Sequence, residues 1–496
     1  MTDTILDLLA GAPPERQAIV APEFAGLTHA DLLREVERLG TQLAACGIGR
    51  GDRVALALPN GPDLALLVLA CACYATAAPL NPRYRQDEFA FSYGDTGAAA
   101  LIVPAAGAEA ARAAAAPGML VFETGHRADG RLELAPLGPR RAPRGLDAAA
   151  PDDVALVLHT SGTTSRPKRV PLRHRNLAAS ARNIVSTYAL GQDDTALCVM
   201  PLFHIHGIVA TLLAPLAAGG GVALPPGFDA LRFWGQVEAL RPTWYSAVPT
   251  MHQLLLARAE PGRHAPFRFV RSSSAALPPV VMERLEAMMG APVLESYGMT
   301  EASHQMTSNL PPPGRRAPGS VGVGVGVEVA ILDAAGEMLP PGARGEVAVA
   351  GPSIFDGYEQ NPDATAAAFA GRWFRTGDEG LLDTTGALTL TGRLKELINR
   401  GGEKISPLEI DDVLLRHPAV AEALTFAAPH RTLGEEVHAA VVLRQPATAR
   451  ELRDHCAASL ADFKVPRVIH ILEALPRGAT GKLQRIGMAC ALGIEA

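Results

Sequence analysis

The sequence predicts an α/β protein: a large N-terminal domain of several subdomains, with layered α/β sheets and a small β-rich unit, followed by a small α+β C-terminal domain. Three observations predict it. A chain of 496 residues exceeds what one hydrophobic core fills, so two or more domains are required. Short apolar runs alternate with helix-like segments over most of the length, the pattern of sheets layered between helices. The character then changes near Gly392, and the roughly one hundred residues that follow are enough for an independent domain.

The elements follow in order. Thr28–Cys46 reads as a helix, Arg53–Leu58 as a strand, Leu64–Ala75 as a helix and Ala99–Val103 as a strand. The Ala-, Gly-, Pro- and Arg-rich stretch from Pro104 to Ala150 is expected to be a variable surface segment with one helix at Ala108–Ala116. Val154–Leu158 and Leu197–Met200 read as strands, His174–Tyr188 and Phe228–Leu240 as helices. Val321–Leu332 and Gly345–Ala350 look like strands of the β-rich unit. Beyond Gly392 the text is βααβ-like, with an amphipathic helix at Ser406–Arg416, a strand at Val437–Val442, a helix at Ala449–Ser459 and a strand at Val468–Leu472.

Composition narrows the partners. A net charge of −6 with no basic block argues against nucleic acid. The apolar stretch Leu64–Ala78 is short for a membrane span, ends near Pro79 and has no cationic anchor at its start, so a buried helix is expected and no membrane partner. The six cysteines lack metal-ligand or disulfide-framework spacing and read as reduced thiols in a cytoplasmic protein. No signal-peptide pattern opens the sequence and no peroxisomal tripeptide closes it. Oligomeric state is not legible.

The residues that carry chemistry begin with the run Leu158-His159-Thr160-Ser161-Gly162-Thr163-Thr164-Ser165-Arg166-Pro167-Lys168. Short hydroxyls and glycine let backbone and side-chain donors close around a polyphosphate, and Lys168 adds a cation. The Walker spacing is absent. Five motifs follow in order: PLFHIHG from Pro201, ESYGMTE from Glu295, WFRTGD from Trp373, GRLKELI from Gly392 and GATGKLQR from Gly478. Taken singly these have plain readings. Lys482 is then a surface lysine, Asp378 a turn residue and Glu301 a helix N-terminal charge.

Together the six resemble the AMP-forming adenylating superfamily of acyl-CoA synthetases, luciferases and nonribosomal-peptide adenylation domains, over essentially the whole chain. That resemblance implies ATP, Mg²⁺ and CoA as cofactors and a mobile C-terminal lid, with an adenylating domain at 1–392 and the lid at 393–496. It implies a catalytic set of Lys482, Thr300, Glu301 and His204. Thr160, Ser161, Gly162, Thr163, Thr164 and Lys168 would hold the β- and γ-phosphates, and Thr300 the α-phosphate. Glu301 would bind Mg²⁺, a hard cation suited to oxygen ligands. Asp378 would accept from both ribose hydroxyls with Arg393 nearby. Tyr297 would stack on adenine beside Ser274 and Ala275, with Glu295 and Ser296 in the same cofactor-binding segment. Lys395 matches the hinge, and Gly401-Gly402-Glu403-Lys404 the face that admits the thiol.

The segments that line the acyl pocket in this superfamily read His204-Ile205-His206, Arg271-Ser272-Ser273-Ser274 and Ala302-Ser303-His304-Gln305. This polar, cationic set suits a short acid with a second anionic group, which a protonated histidine would strengthen. The strings HTSGTTSRPK, PLFHIHG, RSSSAAL, MTEASH and LKELINRGGEKISPLEI resemble the oxalate–CoA ligases. His206, Ser274 and His304 are therefore the candidate substrate residues; His304 could equally buttress the helix after Glu301, and Arg271 reads as a structural ion pair. Arg169 stands where similar loops carry Gly, implying either a strained backbone or an added phosphate donor. One other reading stays open, an adenylating enzyme that activates nitrite or an aromatic acid for transfer to an amine or carrier protein; intact Glu301, Asp378, Arg393 and Lys482 argue against a non-catalytic nucleotide-binding scaffold.

Overall fold

Six parallel strands form the centre of the largest sheet. In spatial order they are Gln17–Val20, Gly221–Ala223, Thr195–Leu197, Trp244–Ala247, Phe269–Ser273 and Val293–Met299. The antiparallel strands Leu27–Thr28, His304–Ser308 and Val323–Gly324 complete a nine-stranded sheet. The structure is a computed structural model that describes residues 3–138, 140–160, 167–258, 266–477 and 483–494.

A seven-stranded sheet runs Leu132–Leu137, Leu120–His126, Ala100–Pro104, Arg53–Leu56, Thr76–Pro79, Val154–Thr160, Lys168–Arg173, parallel except at its two ends. The helix Pro62–Tyr74 packs beside it, buried from Leu64 to Tyr74. It is only 13 residues long, starts with Pro at N1 and makes its own contacts with helix His29–Ala45, which explains its apolar text without a membrane. Among the described residues no helix is long and apolar enough to cross a membrane. Helix His29–Ala45 is set by a Thr28–Asp31 capping box and buries the stripe Leu32, Val36, Leu39 and Leu43.

The β-rich unit is an antiparallel sheet of Glu328–Leu332, Gly345–Ala350, Trp373–Leu382, Phe369–Ala370 and Leu388–Arg393. Its register sets Asp378 directly opposite Arg393. The C-terminal unit has a separate core around Ile398, Ile410, Leu414, Val437 and Leu452. Val280, on helix Pro279–Met289 of the N-terminal domain, packs against that core. The protein is thus a two-domain α/β molecule with a small α+β C-terminal domain, as the alternation predicted.

Two segments differ from expectation. The stretch from Pro104 to Ala150 is not only a surface run with one short helix, Glu109–Ala113; it contributes the hairpin strands Leu120–His126 and Leu132–Leu137 to the seven-stranded sheet. The C-terminal domain contains an eleven-residue strand, Val420–His430, that the βααβ reading omits. Its text VAEALTFAAPH is rich in alanine, which is neutral to burial and hides the period of two.

Candidate active site

Several predicted residues lie where strands end at their carboxyl sides, the usual ligand edge of an open α/β sheet. Thr160 ends Val154–Thr160, Ser274 follows Phe269–Ser273, and Thr300 and Glu301 follow Val293–Met299. His204 and His206 lie beyond the end of Thr195–Leu197. Asp378 and Arg393 come from the β-rich sheet.

Asp378 organises one side of the site. Its Oδ2 accepts from the Tyr297 hydroxyl at 2.5 Å, and its Oδ1 accepts from Arg393 Nε at 2.9 Å. Burial and the neighbouring Asp378 charge hold the Tyr297 hydroxyl well above its ordinary pKa, so it remains a donor. Asp378 raises Arg393 further still. Residues 81 positions apart are thereby locked as one polar clamp.

A second chain links the phosphate loop to Glu301. Lys168 pairs in register with Thr160, and its Nζ sits 4.4 Å from the centre of the Tyr358 ring. The Tyr358 hydroxyl donates to Glu301 Oε1 at 3.0 Å. Glu301 is buried, and desolvation pushes its carboxyl above the usual range. A desolvated carboxylate is an oxygen donor that a hard divalent cation would stabilise as the anion. A single carboxylate fits Mg²⁺, an ion that takes one or two carboxylates and otherwise phosphates and water. Tyr358 has no motif around it and was invisible in the sequence. Ser161, Gly162, Thr163, Thr164 and Lys482 lie outside the described residues.

The acid side is built on unusual backbone. His206 opens a π-helical segment, His206–Leu213, a feature concentrated at functional sites. Gly207 permits it, because a Cβ there would lie 2.3 Å from the Pro201 carbonyl oxygen. Ser274, Ser303 and His304 have φ of 74°, 52° and 97°, a left-handed region that non-glycine residues occupy only when their surroundings hold them. Gly298 lets the His304 backbone approach, since its Cβ would meet the His304 carbonyl oxygen at 1.8 Å. The rings of His206 and His304 stack at 4.7 Å and 22°. Ser274 Oγ lies 3.1 Å from His206 Nδ1, and the His206 backbone N–H donates to His204 Nδ1 at 3.3 Å.

Arg271 corrects an expectation. It is fully buried, but among the described residues no carboxylate pairs with it. Its partners are the Tyr188 hydroxyl, Gln305 Oε1, Ser246 Oγ and His206 Nε2. Only the folded structure reveals Tyr188 and Ser246 as neighbours of the site.

Other predicted residues stand at the margin. Ser296 spends its hydroxyl on the Ser272 carbonyl oxygen at 3.3 Å, and Ala275 is exposed beside Ser274. Lys395 is exposed between strands Leu388–Arg393 and Ile398–Arg400. Gly401 and Gly402 turn the hairpin to Glu403–Ile405 with φ of 59° and 98°.

Glu295 is buried and accepts from the Leu277 N–H at 2.9 Å; burial, with Asp412 of the C-terminal domain adding to it, pushes its carboxyl up to about 8. The folded state therefore holds a proton that the unfolded chain releases near pH 4.5, so stability falls as pH rises between those values and levels off above about 8. Glu295→Gln should match the wild type in melting temperature near pH 5 and exceed it near pH 8. The gain corresponds to roughly 3 kcal/mol. Parallel melting curves across that range would refute it.

Arg169 carries no backbone strain of the predicted kind. It lies in strand Lys168–Arg173 with φ outside the positive region, and its buried guanidinium pairs with Glu359 Oε2 at 3.1 Å and lies 3.8 Å from Asp95. It anchors the loop's second strand to the segment carrying Tyr358. Arg169→Gly should lower the melting temperature but cut ATP turnover no more than about tenfold, roughly 1.4 kcal/mol of barrier. A far larger loss of turnover in folded protein would mark Arg169 as a phosphate contact.

Known proteins resemble this chain in sequence and fold. The AMP-binding enzyme model matches residues 7–359, and the AMP-binding enzyme C-terminal domain model matches residues 409–482. The chain belongs to the AMP-binding enzyme family. It is 47% identical to probable CoA ligase CCL9 of Humulus lupulus, covering 97% of this chain and 95% of that one. It is 45% identical to an oxalate–CoA ligase of Arabidopsis thaliana, covering 98% of both. Among solved structures, ATP-bound MatB of Rhodopseudomonas palustris superposes with a TM-score of 0.88 at 30% identity over 99% of both chains. The protein is an AMP-forming acid–CoA ligase. It activates a carboxylic acid with ATP and Mg²⁺ as an acyl-adenylate, releases pyrophosphate and transfers the acyl group to CoA.

Proposed function

We propose that the acid activated here is oxalate and the product oxalyl-CoA. The observation that carries this reading is the acid-side cluster: two stacked imidazoles, His206 and His304, with Ser274 at 3.1 Å and the buried cation Arg271 behind them. Oxalate has two carboxylates and no apolar part, so it needs donors and positive charge rather than an apolar tunnel. The 45% identity to a protein named oxalate–CoA ligase supports the same choice.

In this reading Asp378 accepts from the ribose hydroxyls, with Arg393 holding its carboxylate in place. Tyr297 borders the adenine, with Ser274, Ala275, Glu295 and Ser296 shaping that wall. Thr160 to Thr164 and Lys168 hold the β- and γ-phosphates, and Thr300 donates to the α-phosphate. His204 completes the catalytic wall next to His206. Glu301 would hold Mg²⁺, which when bound would supply neutralising charge to the phosphate oxygens. One carboxylate oxygen of the acid attacks the α-phosphorus in line, and the bond to pyrophosphate breaks. Lys482 stabilises the charge on the carboxylate and α-phosphate oxygens during that step. The CoA sulfur then attacks the carbonyl carbon, loses its proton and displaces AMP.

The lid is residues 393–496 and the adenylating domain residues 1–392, with the rotation taken up at Lys395. The exposed turn between two strands of different sheets supports a hinge there. The six cysteines are free thiols, five of them buried, in keeping with a reducing cytoplasm.

ATP–pyrophosphate exchange tests the acid directly. Oxalate should support it well above malonate, succinate, acetate, benzoates and nitrite, and product mass with CoA should be that of oxalyl-CoA. Exchange with nitrite or a benzoate but not oxalate would overturn the proposal.

A further inference from the structure

We propose that Arg271 is a specificity-determining positioning residue. Through Ser246 it fixes the direction of the protons on His206 and Ser274, and its buried charge selects an acid with a second negative group. This rests on the reading of the acid site given above.

The argument starts from what a guanidinium can do. It has five N–H donors, no acceptor and a permanent positive charge. Arg271 lies in strand Phe269–Ser273 and is fully buried. Its Nε donates to the Tyr188 hydroxyl at 2.9 Å and to Gln305 Oε1 at 3.3 Å. Its Nη2 donates to Gln305 Oε1 at 3.0 Å. Its Nη1 donates to Ser246 Oγ at 2.9 Å and faces His206 Nε2 at 3.3 Å. None of these partners is a carboxylate. A buried charge without a counterion is costly and usually neutralises or finds a partner. Arg271 cannot lose its proton, so an anion from outside is the partner its site lacks.

The donors settle the proton on His206. Ser246 Oγ accepts from Arg271 and stands 2.6 Å from His206 Nε2, so its own proton goes to Nε2. Nε2 is thus an acceptor facing a hydroxyl and a guanidinium N–H. The ring proton of the neutral imidazole then sits on Nδ1, 3.1 Å from Ser274 Oγ. Ser274 accepts there, which leaves its hydroxyl proton for an acceptor in the site. The chain Arg271, Ser246, His206, Ser274 therefore donates in one direction, from the buried cation toward the acid. The positive charge of the site comes from the arginine beneath it; a second proton on His206 Nε2 would point at a donor.

Two experiments decide the matter. The first compares affinity for oxalate with that for oxamate, whose second carboxylate is replaced by a neutral amide of similar shape. Calorimetry with a non-hydrolysable ATP analogue on wild type, Arg271→Met and Arg271→Lys gives the ratio. Arg271→Met should cut the preference for oxalate by roughly 10- to 100-fold, the scale of one buried unit charge. Affinity for the ATP analogue should change less than about threefold, as expected of a residue that acts on the acid site through Ser246 and His206. Arg271→Lys, which keeps the charge, should retain most of the preference. A preference left intact while both acids and the ATP analogue weaken together would overturn the proposal. The second uses the unmutated enzyme with ¹⁵N-labelled histidine, the His206 signals being those lost in His206→Asn. A protonated Nδ1 and a bare Nε2 support the relay; the opposite tautomer, or two protonated nitrogens, sinks it even if the Arg271 variants fail to fold. If the wild type does not bind oxalate, the choice of acid fails on its own and the tautomer still decides the role of Arg271.

Discussion

Replacing Lys482 with alanine should slow ATP–pyrophosphate exchange by roughly 10²–10³, the usual worth of one preorganised charge at a developing anion. Thioester formation from supplied acyl-adenylate should stay within about threefold, because the proposed contact exists only in the first step. Lys482 itself lies outside the described residues. Arg477 and Leu483, on either side of it in sequence, form an antiparallel bridge. Arg485, just beyond, is buried against Glu396 at 3.1 Å and Asp411 at 2.8 Å. Those two pairs tie Arg485 to the segment that carries Lys395 and to helix Pro407–Arg416. A rotation at Lys395, as proposed, would carry Arg485 with it. Measuring the two half-reactions separately decides the point. Equal losses in both would mean that Lys482 serves structure, or that the lid does not alternate.

His304→Ala should raise the oxalate KM about 10- to 150-fold, the loss of a charge-assisted partner worth roughly 1.5–3 kcal/mol. ATP binding should barely change, and monocarboxylates of similar size should lose far less because they never made the contact. Backbone strain does not confuse the comparison. His304 sits at φ 97°, and alanine, also with a Cβ, bears much the same strain there. The lost stacking partner of His206 is local to the acid side. A buttressing role predicts a different outcome: all acids and ATP would weaken together, with a fall in melting temperature.

Most of the fold was legible because its signals are local. Helix His174–Tyr188 spans the predicted residues, and Gly345–Ala350 is the predicted strand. Apolar periodicity, caps and Pro breaks act within a few residues, so they are written in the text. The strand Val420–His430 and the hairpin from Leu120 to Leu137 were missed for the converse reason. Their alanines and exposed polar residues pair as strands only because neighbours offer an edge.

The site divides along the same line. Six ordered motifs sufficed to place this chain among acid–CoA ligases and to nominate Asp378, Arg393, Glu301, His206 and His304, because chemistry demands particular residue types. Sequence could not say what those residues touch. That Tyr297 donates to Asp378, that Tyr358 bridges Lys168 and Glu301, and that Arg169 pairs with Glu359 are facts of strand register and loop packing. The same holds for Arg271, which reads as an ion-paired residue until the fold surrounds it with neutral acceptors. Residue identity fixes which charges and donors exist. Only tertiary structure fixes which of them are desolvated and left facing one another, and the energy of a charge depends on that far more than on its place in the chain.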